Sequence, residues 1–467
     1  MLRIQDDSMR LCDGVSRRDW LRVGSLGLGG LALPGLLGSR AKAAESSKSL
    51  SLGKAKSVIL LWFGGGVPHH ESWDPKPDAP REVRGDFGVI STRTPGIQFG
   101  ELMPQTAAIS DRIAVLRAMT TNDQAHSSSG YQMLTGIPHA PLSTENVIAK
   151  APNLWPSTAA LMRYLRPMPG QLPSSIVLPA PFKNMGFSPW PGQDAGFLGR
   201  QHDPWLIECD PSSKDFKVPD LSLSSDVSSM RFDRRRTLLD QVNRHLDVAA
   251  AGPAVSSYNS QEQQALSLLT AAKSRAAFDL SKEPDAVRDR YGRTRWGQSV
   301  LLARRLVEAG VPLIQVNWTA IDGRPNFGSW DTHEVHSEAL KTFLMPMMDQ
   351  TLPTLITELE ERGLLDETLV VSCAEFGHTP RFNPKLGRDH WGYNFSIALA
   401  GGGVQGGVVY GKSDDRAAYP ISGKLEPKDL ISTIFHLLGH EPETQYRDNF
   451  GRPLPLSRGR VIDEILA

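Results

Sequence analysis

The chain has 467 residues, and its 51 lysines and arginines balance its 51 aspartates and glutamates. A formal net charge of zero argues against a nucleic-acid partner, because binders of nucleic acid normally carry a basic excess. The sequence has no run of about 20 apolar residues, which excludes a polytopic membrane protein. Three cysteines without a CxxC pair exclude a disulfide framework and a zinc ribbon.

The amino-terminal segment is predicted to be an export signal. SRRDWL at 16–21 is a twin-arginine pattern, and an apolar, glycine-rich run follows at 23–37. Ala41 and Ala43 then form a cleavage site of the A-x-A type. This order of basic region, short apolar run and small residues is typical of a secretory signal. We therefore expect cleavage near Ala43 and a periplasmic or extracellular protein without a stable membrane span.

The rest of the chain is predicted to be a polar linker at 44–56 and a single α/β domain at 57–467. Apolar runs bounded by turn residues predict strands, and amphipathic stretches between them predict helices. The strands are 58–63, 113–116, 313–318, 369–374 and 395–400, and the clearest helices are 296–308, a stretch ending near 363, and 430–438. This alternation favours a doubly wound, mostly parallel sheet with helices on both faces. Insertions are expected at about 152–219 (loop-rich) and 231–291 (helical).

Four polar clusters stand at predicted strand ends, the place where open α/β sheets bind ligands. They are His69, His70, Glu71 and Asp74 after the first strand; HSSSG at 126–130 after the second; Asp331, His333, Glu334 and His336 after the third; and Glu375 after the fourth, with Arg388, Asp389 and His390 before the fifth. Carboxylates and imidazoles together form a ligand set for zinc or a similar divalent ion. Such an ion polarises a phosphoryl or sulfuryl oxygen and lowers the pKa of a bound water.

Plainer interpretations remain open for each feature. A single aspartate or histidine after a strand commonly caps a helix or lies on the surface. The glycines at 64–66 lack the GxGxxG and GK[ST] patterns, so a tight turn is favoured over a phosphate cradle. No GxSxG elbow supports an α/β-hydrolase. Cys209 and Cys373 are expected to be unreactive, and the strand around Cys373 is apolar enough to raise the pKa of its thiol.

Five segments of the chain resemble the exported bacterial proteins of domain of unknown function 1501, a family that belongs with the alkaline phosphatase and sulfatase superfamily. They are GGGVPHHESWDPKP (64–77), HSSSGYQMLTG (126–136), GSWDTHE (328–334), AEFGHTPRF (374–382) and GRDHWGYNFSIALAGGG (387–403). The segments occur in the expected order and span nearly the whole chain after the signal. The resemblance implies an alkaline-phosphatase-like core that holds one or two metal ions beside a nucleophile.

The resemblance also assigns a place to the nucleophile. In the superfamily it lies ten positions before the glycine of a TG pair, here Thr135-Gly136, which puts His126 at that place and Ser127 beside it. Sulfatases that mature a formylglycine carry Cys or Ser there, followed by Pro and Arg. HSSSG has neither the proline nor the arginine, so a formylglycine sulfatase is not expected.

The resemblance implies that one metal site is retained and the other altered. His390 matches the last metal-binding histidine, and Asp331 with His333 matches the other half of that site. The Asp-His pair expected after the later strand is replaced by Glu375-Phe376. The aspartate expected after the opening strand is also absent, and the nearest substitutes in the sequence are His69 and Glu71.

The leading hypothesis is an exported, metal-binding hydrolase of phosphate or sulfate esters, whose substrate is a small anionic ester or a sulfated or phosphorylated glycan. His126 would act as nucleophile, ligand or general acid, and Ser127 is the alternative nucleophile. Arg388 would neutralise an anionic oxygen. The candidate ligands of a divalent metal, with zinc preferred, are His69, Glu71, Asp331, His333, Glu375, Asp389 and His390.

Two other functions are weighed against the first. A non-catalytic binding protein on the same scaffold is favoured by the missing ligands, with Trp155, Trp190 and Trp205 available to stack on sugar rings. A cofactor-dependent oxidoreductase is suggested only by the export route. The chain has no dinucleotide fingerprint, cysteine cluster or haem motif, which argues against it. The sequence leaves the oligomeric state open.

Overall fold

The computed structural model describes residues 51–167, 172–184, 187–218, 272–321 and 323–467, together with Arg234 and Thr237. The predicted export signal, the cleavage site at Ala43 and the linker up to residue 50 lie outside the described residues. The same holds for most of the predicted helical insertion, of which 272–291 is described as a continuous segment. The compact unit Leu52–Ala467 is the one considered below.

The centre of the molecule is a sheet of eight strands. Seven strands run in one direction, and β7 is antiparallel to both of its neighbours, β2 and β6. The spatial order is β8-β2-β7-β6-β1-β5-β3-β4. The strands are β1 (Ser57–Trp62), β2 (Ile113–Met119), β3 (Ser175–Leu178), β4 (Trp205–Leu206), β5 (Leu313–Asn317), β6 (Thr368–Cys373), β7 (Phe395–Ala400) and β8 (Val408–Tyr410). Four short antiparallel pairs lie outside this sheet: Val89–Ser91 with Gln98–Gly100, Gly377–His378 with His390–Trp391, Lys412–Ser413 with Pro420–Ser422, and Gln445–Arg447 with Pro453–Pro455.

Helices connect the strands. They are α1 (Arg81–Arg84), α2 (Pro104–Ala107), α3 (His126–Thr135), α4 (Thr158–Leu165), α5 (Ala272–Phe278), α6 (Asp285–Arg290), α7 (Arg295–Glu308), α8 (His336–Ala339), α9 (Met345–Glu361) and α10 (Pro427–Leu437). A π-helical turn, Leu340–Leu344, joins α8 to α9. Within the described part of the chain, none of the helices combines the length and the apolar character needed to cross a membrane.

Both faces of the sheet are covered, as the residues of β1 show. Successive side chains of a strand point to opposite faces. Ile59 and Leu61 belong to one hydrophobic core, which includes apolar residues of α7 and α9, whereas Val58 and Leu60 belong to a second core with residues of α3, α4 and α10. All six residues of β1 are buried, as expected for a central strand of a parallel sheet. The predicted doubly wound, mostly parallel α/β fold is confirmed.

The segment predicted as a loop-rich insertion contributes to the sheet itself. Residues 175–178 form β3, which pairs in parallel with β5, and Trp205–Leu206 forms the edge strand β4. The sequence did not indicate these strands because SIVL at 175–178 is only four residues long and prolines stand close on either side, at Pro173 and Pro179. Tertiary pairing with β5 decides the strand here.

The reversed direction of β7 matters for the position of the polar clusters. The carboxyl ends of the seven parallel strands meet at one edge of the sheet. Because β7 is antiparallel, its amino end meets the same edge, and the residues that precede it are brought there as well. Residues after β1, β2, β5 and β6 and residues before β7 therefore converge.

One face of the sheet also holds a buried ion-pair network. Arg304 of α7 has no solvent exposure, and its guanidinium lies 2.7 Å from Glu283, 2.8 Å from Glu308 and 3.4 Å from Glu358. Removing one partner of a buried network leaves uncompensated charge. We expect Arg304→Met to lower the free energy of unfolding by about 3 kcal/mol, measured by chemical denaturation.

The exposed pair Arg290–Glu361 is a matched control. Its two side chains are 42% and 52% exposed and 3.2 Å apart. Exposed ion pairs contribute little, so Arg290→Met should change the free energy of unfolding by less than about 1 kcal/mol. Equal effects of the two substitutions would contradict the structural role of the buried network.

Candidate metal centre

Three imidazoles converge on the carboxylate of Asp331, which lies in the loop after β5. His390 Nε2 and His333 Nε2 each lie 2.9 Å from Asp331 Oδ1, and His126 Nε2 lies 3.3 Å from Asp331 Oδ2. His333 Nε2 and His390 Nε2 are only 3.0 Å apart. His126, Asp331 and His390 each offer a ligand atom, and these atoms lie within 4.8 Å of one another. The group is therefore able to hold a metal ion.

The other ring nitrogen of each imidazole faces an oxygen that accepts a hydrogen bond. His390 Nδ1 lies 2.7 Å from the carbonyl oxygen of Gln124, His333 Nδ1 lies 2.7 Å from Asp389 Oδ1, and His126 Nδ1 lies 2.8 Å from Glu375 Oε1. A carbonyl or carboxylate oxygen only accepts, so each Nδ1 donates its proton. In the neutral rings the three Nε2 lone pairs then point at the Asp331 carboxylate. A carboxylate facing these nitrogens is stabilised either by protons on Nε2 or by a metal ion, and histidines whose other ring nitrogen donates to an oxygen are typical of metal sites.

The electrostatics of the cluster agree with this requirement. Burial disfavours the charged form of His126, but its hydrogen bonds to Asp331 and Glu375 outweigh burial and raise its pKa to about 10. The hydrogen bond to Asp331 raises the pKa of His333 to about 9 against the opposing effect of burial. For Asp331, burial opposes ionisation, yet the three imidazoles hold its pKa far below the usual range. The cluster attracts positive charge, whether as protons or as a metal ion.

The glycine turn after β1 lets two parts of the cluster approach each other. Gly65 has a φ of +111°, its N–H donates to Glu375 Oε1 at 2.8 Å, and a Cβ atom there would lie 2.2 Å from the backbone nitrogen of Asp331. Trp330, next to Asp331, is fully buried against Phe63, with ring centroids 5.4 Å apart. The turn therefore fixes the Asp331 loop against the end of β1. It is a tight turn, as the sequence favoured.

Gly65→Ala should displace Asp331 because the added methyl group meets its backbone. We expect a loss of bound metal and a lower free energy of unfolding, measured by elemental analysis and denaturation. Gly96→Ala is the control, since Gly96 also has a positive φ, +82°, but no atom lies within 4 Å of the added Cβ. That variant should lose about 1 kcal/mol of stability from the backbone conformation alone and keep its metal.

His126 stands at the first turn of α3, whose start is held by side chains. Asp123 accepts hydrogen bonds from the Ala125 amide, at 3.0 Å, and from the Ser128 hydroxyl, at 2.8 Å, and Glu145 accepts from the amide of His126. His126 is therefore placed at the cluster by the helix that it opens, and its Nε2 faces the Asp331 carboxylate.

Ser127, the alternative nucleophile, is not brought to the cluster by any hydrogen bond. It is fully buried, its hydroxyl accepts the Asn146 amide at 2.9 Å, and it donates to Glu145 Oε2 at 3.4 Å. The hydroxyl is thus occupied by the 145–146 segment.

Aromatic rings close the inner side of the cluster. Trp190 stacks on His126 with a centroid distance of 5.6 Å, and Phe376 stacks on His390 at 4.4 Å. Trp190 is buried, Trp155 packs on Phe197 and Trp205 packs on Phe278. Each of the three tryptophans therefore has an aromatic partner inside the protein, and Trp155 and Trp205 keep part of their surface exposed. The open side of the cluster is at His333 and Asp389, whose side chains are 39% and 52% exposed.

Arg388 has a different task from the one suggested by the sequence. It is fully buried, and all five of its N–H groups are engaged: with Glu71, with the carbonyl oxygens of Thr379 and Pro380, and with that of Val83. No donor is left for an anionic substrate oxygen. Its partner Glu71 is likewise committed, and Arg388 and His336 outweigh the effect of burial and hold the pKa of Glu71 at about 2. Glu71 does not join the Asp331 cluster.

Glu375 and Asp389, two other candidate ligands, support the imidazoles instead. Both oxygens of the buried Glu375 accept hydrogen bonds, Oε2 from Trp62 Nε1 at 3.1 Å and Oε1 from Gly65 and His126. Asp389 Oδ1 accepts from His333 and, at 2.9 Å, from Asn383 Nδ2. Asn383 also donates to the carbonyl oxygen of His333 at 2.9 Å. The sequence did not single out Asn383, although it lies just beyond a segment that carries the family resemblance.

His69 belongs to a buried group of histidines outside the Asp331 cluster. Its Nε2 lies 2.9 Å from the carbonyl oxygen of Ala417, and its ring is 4.2 Å from that of His70. Burial lowers the pKa of His69 to about 4 and holds that of His70 and His378 well below the usual value. These rings are neutral in the folded protein at neutral pH.

Buried neutral histidines predict acid sensitivity. The pKa of His69 is lower in the folded than in the unfolded chain. The stability that the neutral ring contributes is therefore fully present above about pH 6.5 and is lost as the pH falls towards 4. Over this range the unfolded chain binds a proton at His69 and the folded chain does not, which lowers the free energy of unfolding by on the order of 3 kcal/mol for this one ring. His69→Gln should make the free energy of unfolding fall less steeply between pH 7.5 and 5, and equal slopes for the two proteins would contradict this.

Comparison with known proteins gives the family. Its model matches residues 55–466. The chain belongs to the family described as protein of unknown function (DUF1501). The family predicted from the five sequence segments is thereby confirmed. No curated protein matches the sequence.

Several solved structures are similar to the chain at low identity. A sulfatase, PsFucS1 from Pseudoalteromonas sp., is 14% identical with a TM-score of 0.43, covering 92% of this chain and 76% of its own. The phosphonate monoester hydrolase SpPMH from Silicibacter pomeroyi is 14% identical with a TM-score of 0.37, covering 87% and 75%. The lipoteichoic acid synthase LtaP from Listeria monocytogenes is 9% identical with a TM-score of 0.39, covering 86% and 78%. Likeness at this level assigns no activity to the chain.

Proposed function

We propose that the protein is an exported, metal-dependent hydrolase of phosphate or sulfate esters. The observation that carries the proposal is the convergence of three imidazole Nε2 atoms on the Asp331 carboxylate at the edge of the sheet where ligands bind. An ester site needs a group of positive charge for the anionic oxygens. The Arg388 guanidinium is committed elsewhere, so a metal ion is the group that this site is built to supply.

The residues fit a divalent ion, with zinc favoured by its donors. Asp331, His126, His333 and His390 would hold it with a mixed nitrogen and oxygen set, and catalysis would require one further position for a water or the ester oxygen, as when zinc expands to five ligands. Glu375, Asp389 and the carbonyl of Gln124 would fix the rings through Nδ1. A bound ion would polarise the ester oxygen and lower the pKa of a water.

The chain's own groups orient the reacting parts. Trp190 and Phe376 exclude water from the inner side of the cluster, so an ester approaches from the open side at His333 and Asp389. Asp389 Oδ1 accepts a hydrogen bond from His333 Nδ1, and the two atoms are 2.7 Å apart. A small anionic ester or a sulfated or phosphorylated glycan is the proposed class of substrate, and the periplasm or cell exterior is the proposed place of action.

A non-catalytic, metal-binding protein is the second candidate. It is favoured by one observation: an imidazole, His126, stands at the position of the superfamily nucleophile, and the neighbouring Ser127 hydroxyl is occupied. If the four protein ligands occupied every position of the ion, no position would be open to an ester, as in structural zinc sites. Metal binding without ester turnover would identify this case.

Metal analysis and turnover test the proposal together. Purified protein should contain about one divalent ion per chain and hydrolyse phenyl phosphate or phenyl sulfate. His390→Ala and His333→Ala should lose both the ion and the turnover. Asp389→Ala should keep the fold and weaken metal affinity by about 10- to 100-fold, since it removes the acceptor that orients His333.

His202→Ala is the matched control, because His202 is a partly exposed histidine that packs on Tyr164 outside the cluster. It should retain metal and activity. Absence of metal from the wild-type protein after growth and dialysis with zinc would overturn the proposal.

A further inference from the structure

Three bulky apolar residues adopt a backbone conformation that such residues rarely take. Phe327, Val335 and Leu386 have φ values of 55°, 44° and 57°. In the described part of the chain, the other non-glycine residues with positive φ are asparagine, serine and alanine: Asn122, Ser143, Asn146, Asn326 and Ala417. A positive φ strains a bulky side chain, and most of all a β-branched one such as valine. Strain of this kind persists mainly at functional sites.

The same three side chains are exposed. Phe327 is 63% exposed, Val335 41% and Leu386 71%. They therefore pack into neither hydrophobic core, and an asparagine or glycine would form the same turns without strain. The apolar side chains are not needed for the backbone that carries them. We name Phe327, Val335 and Leu386 the apolar rim.

The apolar rim lies on the loops that build the open side of the metal centre. Val335 is two residues beyond His333, and its left-handed turn separates His333 from the buried His336. The amide of His336 donates to the carbonyl of Leu386 at 3.1 Å. Asn326, next to Phe327, donates to the carbonyl of Glu334 at 2.6 Å. Backbone contacts thus bring all three rim residues to the loops of His333 and Asp389.

Two oppositely charged residues flank the apolar rim in the sequence. Glu334 and Lys385, each adjacent in sequence to a rim residue, form an ion pair with each other. Asp389 is engaged by His333 and Asn383. The charged residues next to Val335 and Leu386 in the sequence therefore neutralise each other, and the rim side chains themselves present apolar surface, which suits an uncharged organic group.

We propose that the apolar rim binds the uncharged, apolar organic group of the ester, the part released as an alcohol, while the anionic group lies at Asp331 and its histidines. This inference rests on the proposed function for the identity of the anionic group. It narrows the substrate to esters of aromatic or aliphatic alcohols. Exposed apolar surface beside a polar site is a mark of a binding surface.

Paired ligands that share an anionic group and differ in the organic group test the rim. The metal-loaded, full-length protein should hydrolyse benzyl phosphate with a kcat/KM about tenfold above that for methyl phosphate, whose leaving alcohol is of similar acidity, with the corresponding sulfates as a second pair. It should also bind phenylphosphonate, which is not hydrolysed, more tightly than methylphosphonate by calorimetry. The double variant Val335→Asn, Leu386→Asn should bring both ratios towards one. Its thermal midpoint should be unchanged or raised, because asparagine tolerates a positive φ.

Phe450→Asn is the control, since Phe450 is 79% exposed and lies in the carboxyl-terminal turn. It should leave both ratios as in the wild type. If phenylphosphonate binds more tightly than methylphosphonate but no ester is hydrolysed, the proposed role of the rim is supported and the proposed catalysis is contradicted. Equal binding of the two phosphonates, or no binding of either, would overturn the rim. So would a wild-type dimer that the double variant converts to a monomer, since a second copy would then be the occupant.

Discussion

The buried carboxylate of Glu375 is the constraint on which the candidate metal centre depends. A charged group without solvent must have its hydrogen bonds satisfied inside the protein. Glu375 meets this requirement with the indole of Trp62, the amide of Gly65 and the imidazole of His126. These three donors come from the end of β1, the turn after it and the start of α3. One side chain therefore fixes the relative positions of three elements at the active edge of the sheet.

The polar residues at this edge divide into two groups with different physical tasks. Around Asp331, imidazoles face a carboxylate through Nε2, so the group gains stability from an added cation. Around Glu71, the five donors of Arg388 engage Oε1 of the carboxylate and nearby carbonyl oxygens, while Oε2 lies 3.5 Å from His336 Nε2 without a hydrogen-bond partner among the described residues. The apolar rim is the surface next to the open side of the first group.

The strained backbone at Val335 follows from the division of the polar residues into two groups. The chain must place His333 at the surface of the cluster and His336 in the buried group only three residues later, with Val335 in a left-handed conformation between them. Asn383 connects the loop of Asp389 to the loop of His333, because its amide donates to the carbonyl oxygen of His333 and to Asp389 Oδ1. Local propensity opposes a valine in this conformation, so the tertiary hydrogen bonds determine it. Such a conflict between local preference and global fold is expected at a functional site.

The sequence by itself determined five of the eight strands and the family, because continuous apolar runs such as 58–63 indicate buried strands, and it included His126, Asp331, His333 and His390 among its candidate site residues because they stand near strand ends. The tertiary structure alone decided which candidate residues converge on Asp331 and which hold the imidazoles from behind. Glu375 and Asp389 accept hydrogen bonds from Nδ1 of the imidazoles, whereas Asp331 faces their Nε2 atoms. Arg388 is buried and does not reach solvent. Neither property is encoded in spacing along the chain, since both depend on which strand lies beside which and on the reversal of β7.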